Sequence, residues 1–143
     1  MKAFQNFFLF IAIILLNSIN TQAQNKLKVT VTDIESRTGT IYAALCTPDS
    51  NFPYGDGIQK AEVKVKKKGN VVLKFNNVPD GTYAIRLYQD LDGNKEMDME
   101  GQRPAEPFGF SRLKSIMGPP SFEACKFQVP SKEKVTVKML SMF

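Results

Sequence analysis

The stretch that decides the fold is residues 71–89, which read VVLKFNNVPDGTYAIRLYQ. Large apolar side chains recur at every second position over residues 71–75 and again over residues 83–87. A period of two is typical of a β-strand that turns one face toward a core. Between the two runs, Pro79 presets the backbone at the second position of a turn, and the Asp-Gly pair after it suits the third and fourth positions. The stretch therefore predicts two strands joined by a tight reversal.

The same alternation recurs along the chain, and no segment after Gln24 has a sustained helical period. We predict seven strands, at residues 27–34, 39–46, 59–67, 70–77, 82–89, 121–129 and 133–140. Short strands in this number, joined by turns, favour an all-β, antiparallel seven-stranded β-sandwich of Ig-like or prealbumin-like Greek-key topology. Tyr83 follows its turn as the tyrosine of a tyrosine corner does, and a plain core role for Tyr83 is the alternative.

The N-terminus reads MKAFQNFFLFIAIILLNSINTQAQ, with Lys2 near the start, an apolar run and small residues around Ala23. This order predicts a secretory signal peptide over residues 1–23, cleaved after Ala23. The apolar run is about half as long as a membrane-spanning helix, so we expect no permanent span after cleavage. Residues 24–143 are then one domain, periplasmic or secreted.

Composition excludes several classes of function. With 19 Lys and Arg against 14 Asp and Glu, the formal net charge is +5, a modest excess that does not indicate a nucleic-acid partner. The chain has no histidine, and so lacks the commonest general base and the usual zinc ligand. Valine alternates with lysine over residues 63–66, as expected for a half-buried strand with a lysine-bearing outer face, and the lysines discourage edge-to-edge pairing.

The two cysteines, Cys46 and Cys125, both fall in predicted strands. An exported protein enters a compartment that permits disulfides, but sequence does not show whether two cysteines are close enough to bond. A bridge between them and a pair of buried free thiols are both open.

An acidic loop opens the longest connection, residues 90–120. Oxygen ligands at alternate positions are typical of a chain that curls around calcium. The predicted ligands are the side chains of Asp90, Asp92, Asn94 and Asp98 and the carbonyl of Glu96, with Glu100 and Glu35 as extra candidates. The loop is not an EF-hand, because Lys95 replaces the turn glycine and Gly101 the bidentate glutamate. A polar surface turn without an ion is the alternative.

The rest of this connection is too apolar for simple disorder, and we expect it to fold back as a cover over the sandwich. Its segment E-P-F-G-F-S places Phe108 and Phe110 on either side of a glycine. We expect the bend at Pro107 and Gly109 to turn the two rings toward opposite sides. Core packing of both rings is one interpretation, and contact with a ligand or partner is the other.

Four motifs occur in order: FNNVPDGTYAI at 75–85, DLDGNKEMD at 90–98, EPFGFS at 106–111 and GPPSFEA at 118–124. Together they resemble a family of exported bacterial proteins known as domain of unknown function 2141. The first motif is also similar to prealbumin-like sandwich repeats. The resemblance implies no activity, because the family has none established. Lys95 departs from the family pattern in the acidic loop.

Three functions follow from these features. We expect an exported, non-catalytic module of the cell envelope, ordered by calcium and binding a protein or glycan. One alternative is a hydrolase that pairs Asp98 with Glu106 or Glu123, since two carboxylates suffice for glycoside cleavage. The other is a carrier of a small apolar ligand, which requires a roomy barrel.

Overall fold

A computed structural model describes residues 24–142, and the predicted signal peptide over residues 1–23 lies outside the described part. Ten strands and one short helix form this part of the chain. The strands are β1 Asn25–Thr32, β2 Thr40–Cys46, β3 Gln59–Lys64, β4 Val71–Val78, β5 Gly81–Asp90, β6 Met99–Glu100, β7 Arg103–Pro104, β8 Phe108–Phe110, β9 Phe127–Val129 and β10 Val135–Lys138; the helix is α1 Phe122–Cys125. No helix among residues 24–142 is long and apolar enough to cross a membrane.

The strands form two main sheets. One has the order β10-β1-β4, and the other has the order β3-β2-β5-β8, with β9 also paired to β5; β6 and β7 form a separate hairpin. The predicted all-β class is confirmed. The expected arrangement of seven antiparallel strands differs in two details, because three of the ten strands lie within the long connection and β10 pairs with β1 in parallel.

The core lies between the sheets and consists of the side chains that point inward from the alternating strands. Val29, Leu73, Phe75 and Ile85 are among its fully buried side chains. At the corner between β4 and β5, the Tyr83 hydroxyl donates a hydrogen bond of 3.0 Å to the Pro79 carbonyl. This bond is that of a tyrosine corner, so the tie predicted from the turn is confirmed.

The predicted strand at 121–129 is wrong in its first half, where α1 stands. The Ser121 hydroxyl accepts a hydrogen bond from the Ala124 amide at 3.3 Å, as an N-cap residue does, and Glu123 lies in the first turn. Within this predicted range only Phe127–Val129 forms a strand. Phe122 and Ala124 flank the charged Glu123, a spacing that resembles strand alternation.

The EPFGFS segment joins the two sheets. The Phe108 and Leu140 backbones exchange hydrogen bonds of 2.9 and 2.7 Å, which ties β8 to the residues after β10. Gly109 packs so tightly that an added Cβ would lie 2.6 Å from the Lys138 carbonyl oxygen. The Ser111 hydroxyl, fully buried, accepts from the Ile85 amide at 2.9 Å and donates to the Cys125 carbonyl at 2.6 Å. The segment therefore has a structural role, which is to hold the two sheets together.

The two rings of this segment do not face opposite sides as we expected. Phe108 and Phe110 are two residues apart in a strand, so both side chains leave the same face. Their ring centroids lie 5.9 Å apart in a T-shaped contact. Phe108 is buried and Phe110 is half-buried, packed edge-on against Phe52.

Cys46 and Cys125 are both buried free thiols. Burial raises the pKa of each thiol, that of Cys125 to about 11. Of the two open alternatives, the structure shows the pair of unbridged, buried thiols, which are inert because the reactive thiolate is disfavoured.

Candidate metal site

Three carboxylates converge where β5 ends. The side-chain oxygens of Asp90, Asp92 and Glu106 can be chosen so that all lie within 4.8 Å of one another. Asp90 is the last residue of β5, Asp92 follows in the next turn, and Glu106 comes from the far end of the loop, just before β8. This cluster could hold a metal ion, because carboxylate oxygens are the ligands of hard cations.

The loop after β5 curls around the Asp90 carboxylate. Asp90 Oδ1 accepts from the Gly93 amide at 2.7 Å, and Oδ2 accepts from the Lys95 amide at 3.0 Å. Both donors have left-handed backbones, with φ of 87° at Gly93 and 66° at Lys95. Burial of Asp90, which is 1% exposed, opposes ionisation, but the amide hydrogen bonds outweigh burial and lower the pKa of the carboxyl.

Glu106 is also held by backbone amides. Its Oε1 accepts from the Leu91 amide at 2.7 Å, and Oε2 accepts from the Asp98 amide at a longer 3.4 Å. The residue is 3% exposed. Burial raises the pKa of Glu106, the two amides oppose that rise, and the charges of Asp98 and Asp90 add to it. A nearby cation would favour the ionised form of Glu106.

Two predicted ligands bond to each other instead of joining the cluster. Asn94 Nδ2 donates to Asp98 Oδ1 at 2.8 Å, and Asn94 Oδ1 accepts from the Glu96 amide at 2.7 Å. Both ends of the Asn94 amide thus close the turn locally. Asp98 lies beside Glu106 but outside the cluster, and Glu96 is exposed.

The two extra candidates also lie outside the cluster. Glu100 is an exposed residue of β6, and Glu35 is a residue of the turn between β1 and β2. The turn that carries Glu35 does reach the end of β5, since Gln89 Nε2 donates to the carbonyls of Ser36 and Thr38 at 2.9 and 2.8 Å.

Sequence reasoning missed Glu106 as a ligand candidate and named it only for the hydrolase alternative. Glu106 lies sixteen residues after Asp90, so no local spacing rule connects them. The available signal was an acid at the head of an otherwise apolar segment, EPFGFS. A carboxylate there is buried and must find partners.

The cluster has no cationic side chain in salt-bridge contact within the described residues. The two ion pairs of residues 24–142 join Lys60 with Asp56 and Lys126 with Glu123, and neither involves the cluster. Amide hydrogen bonds therefore carry the stabilisation of these carboxylates, with lone pairs left to accept a cation.

The fold and the cluster define a small all-β domain in which the chain between β5 and β8 begins and ends at one candidate cation site. The chain belongs to a family of uncharacterized proteins conserved in bacteria (DUF2141), whose pattern matches residues 29–138. The match runs from β1 to β10 and includes all three carboxylates, and it confirms the resemblance inferred from the four motifs. No curated protein and no solved structure matches the chain.

Proposed function

We propose that the protein is an exported, non-catalytic β-sandwich module whose acidic loop binds calcium. The convergence of Asp90, Asp92 and Glu106 carries this proposal. The ion orders the long connection, and the ordered surface meets a protein or glycan partner in the cell envelope. All three ligands accept hydrogen bonds from backbone amides before any ion arrives, which lowers the cost of binding.

Calcium suits this ligand set better than other common ions. Calcium takes six to eight oxygens in flexible geometry, so water and backbone carbonyls can complete a shell begun by three carboxylates. Magnesium demands a near-ideal octahedron and dehydrates reluctantly. Zinc prefers nitrogen and sulfur ligands, and the chain has no histidine.

The surroundings of the carboxylates support binding rather than hydrolysis. Glu106 is almost fully buried, with both oxygens bonded to amides, so it is poorly placed to protonate a leaving group. Asp98 is engaged by Asn94, and Glu123 is paired with Lys126. Each carboxylate that the hydrolase alternative needs is thus already engaged by another group.

Thermal unfolding in calcium and in chelator tests the proposal. We expect calcium to raise Tm, because an ion bound only by the folded chain stabilises it by mass action. Magnesium should raise Tm less. Asp92→Asn removes one charge from an exposed ligand and should abolish most of the shift, whereas Asp49→Asn, an exposed aspartate outside the cluster, should leave it intact. An equal Tm in calcium and chelator would refute calcium binding.

A further inference from the structure

A groove of about 630 Å³ lies next to the acidic loop, on the outer face of the sheet that contains β5 and β8. Phe108 and Phe110 line it, together with the β6–β7 hairpin and the segment at residues 116–120. The volume is within the range of small-molecule sites, which are concave and mostly apolar with a few polar groups. The groove is separate from the three carboxylates, none of which lines it.

Exposed apolar side chains concentrate at this groove. Seven large apolar side chains are exposed among the described residues, and four of them line it: Tyr54, Met99, Met117 and Met142. Met117 is completely exposed, at 104% of its reference area. Four of the six methionines of the chain line the groove, and methionine surfaces adapt to varied apolar shapes. Such a concentration marks a binding surface.

The charged residues of the groove are all of one sign. Arg86 and Arg103 line it, and no aspartate or glutamate does. Arg86 is half-buried, and its Nε donates to the Gly55 carbonyl at 3.0 Å, which holds the guanidinium in place. The pKa of Asp56 is lowered mainly by Lys60, with which Asp56 forms an ion pair, and less by the charge of Arg86. Neither ion pair within residues 24–142 involves an arginine.

We propose that this groove binds a small amphipathic carboxylate, a fatty-acid-like molecule with its apolar chain on the phenylalanines and methionines and its carboxylate on Arg86 or Arg103. A guanidinium matches a carboxylate with two parallel hydrogen bonds. A purely apolar ligand would cover the half-buried guanidinium without compensating its charge, which costs free energy. The combination of an apolar wall and arginines outside any ion pair therefore selects an anion with an apolar body.

Displacement of a fluorescent fatty acid, dansyl-undecanoic acid, tests this inference in calcium and in chelator. We expect the purified protein to bind the probe, and dodecanoate to displace it. Dodecanol has the same chain without the charge and should bind at least about tenfold more weakly, since even one charged hydrogen bond contributes that much. Absence of probe binding in both buffers, or equal displacement by dodecanoate and dodecanol, would overturn the proposal. Self-association through the groove without any probe binding would overturn it as well.

Substitutions locate the anionic head. Arg86→Gln combined with Arg103→Gln should remove the preference for dodecanoate while dodecanol still binds, which shows that the groove is intact. Arg112→Gln, exposed and outside the groove, is the matched control and should change nothing. Met117→Asp places a negative charge at a fully exposed rim position and should weaken dodecanoate more than dodecanol. A preference for dodecanoate that survives Arg86→Gln combined with Arg103→Gln would contradict the assigned site.

Discussion

Asp90 and Glu106 are both buried carboxylates at one site, yet their pKa values move in opposite directions. At Asp90, amide donors on both oxygens more than offset the penalty of burial. At Glu106, burial prevails, and the neighbouring negative charges add to it. Asp90 is therefore ionised before a cation binds, whereas Glu106 is the carboxylate whose ionised form a bound cation would stabilise most.

These shifts predict a pH dependence. The depressed pKa of Asp90 contributes stability that is present above its ordinary value of 3.8 and lost as pH falls through the folded-state pKa. The raised pKa of Glu106 has the opposite sign, so its contribution falls as pH rises from the ordinary 4.5 through the folded-state value. Urea midpoints measured across this range in chelator should show the loss on the alkaline side, and saturating calcium should cancel it. A loss of equal size with calcium would exclude Glu106 as a ligand.

Glu106→Gln tests the same residue by substitution. We expect the calcium-dependent rise in Tm to disappear, because the variant lacks a charged ligand. In chelator the loss of a buried charge beside Asp98 and Asp90 is offset by the loss of one amide hydrogen bond, because the glutamine NH2 group cannot accept. The stability of the variant should therefore stay within about 1 kcal/mol of the wild type. Glu100→Gln, an exposed change in β6, is the matched control and should behave like the wild type in both conditions. A full calcium response in Glu106→Gln would place the ion elsewhere.

At the level of elements, strong alternation predicted the long strands well. The strands β1, β2, β4 and β5 lie within two residues of their predicted bounds. Alternation carries no information about strand direction, so the parallel pairing of β10 with β1 could not be predicted. It also failed at α1, where the hydrogen bond between Ser121 and the Ala124 amide decides in favour of a helix.

The sequence predicted only those ligands of the site that are close together in the chain. Asp90 and Asp92 follow from the spacing of acids in one loop, while Glu106 reaches them because the connection returns to the end of β5. The predicted set of alternating ligands is incomplete, because Asn94 and Asp98 form a hydrogen bond with each other and do not join the cluster. A rule based on residue spacing alone predicts neither tertiary contacts nor hydrogen bonds between neighbouring side chains.

The turn before β2 packs against the site, and Gly39 is its contact point. Gly39 has φ of 77°, and an added Cβ would lie 1.9 Å from the Asp90 carbonyl oxygen. Gly69 has φ of 76° with nothing within 4 Å. Gly69→Ala should therefore cost only the backbone penalty, about 1 kcal/mol. Gly39→Ala should cost a further ~1–3 kcal/mol from overpacking and weaken calcium binding as Asp90 moves.

Urea unfolding of both alanine variants, with and without calcium, measures this difference. Equal losses of stability in Gly39→Ala and Gly69→Ala would show that the turn yields without disturbing the end of β5.

Over the whole molecule, the candidate cation site and the groove share one segment. The chain between Asp92 and Glu106 carries Met97, Met99 and Arg103, which line the groove. Because the cluster draws together the two ends of this segment, calcium should fix the wall of the groove. Binding at the two sites is then coupled, and the coupling is reciprocal.

This coupling predicts tighter binding of dansyl-undecanoic acid in calcium than in chelator, by about fivefold or more. Fluorescence titration in the two buffers measures the ratio, and Glu106→Gln should bring it to one. Identical affinities in the two buffers, with calcium binding shown separately, would mean that the hairpin is ordered without the ion.

Calcium titration by calorimetry tests the central claim most directly. We predict that the wild-type protein binds one ion per chain, and that in mildly acidic buffer binding releases protons as Glu106 ionises. Asp92→Asn and Glu106→Gln should each weaken binding sharply, while Asp49→Asn and Glu100→Gln should not. No binding by the wild type, or binding that both cluster variants retain, would contradict a calcium site at Asp90, Asp92 and Glu106.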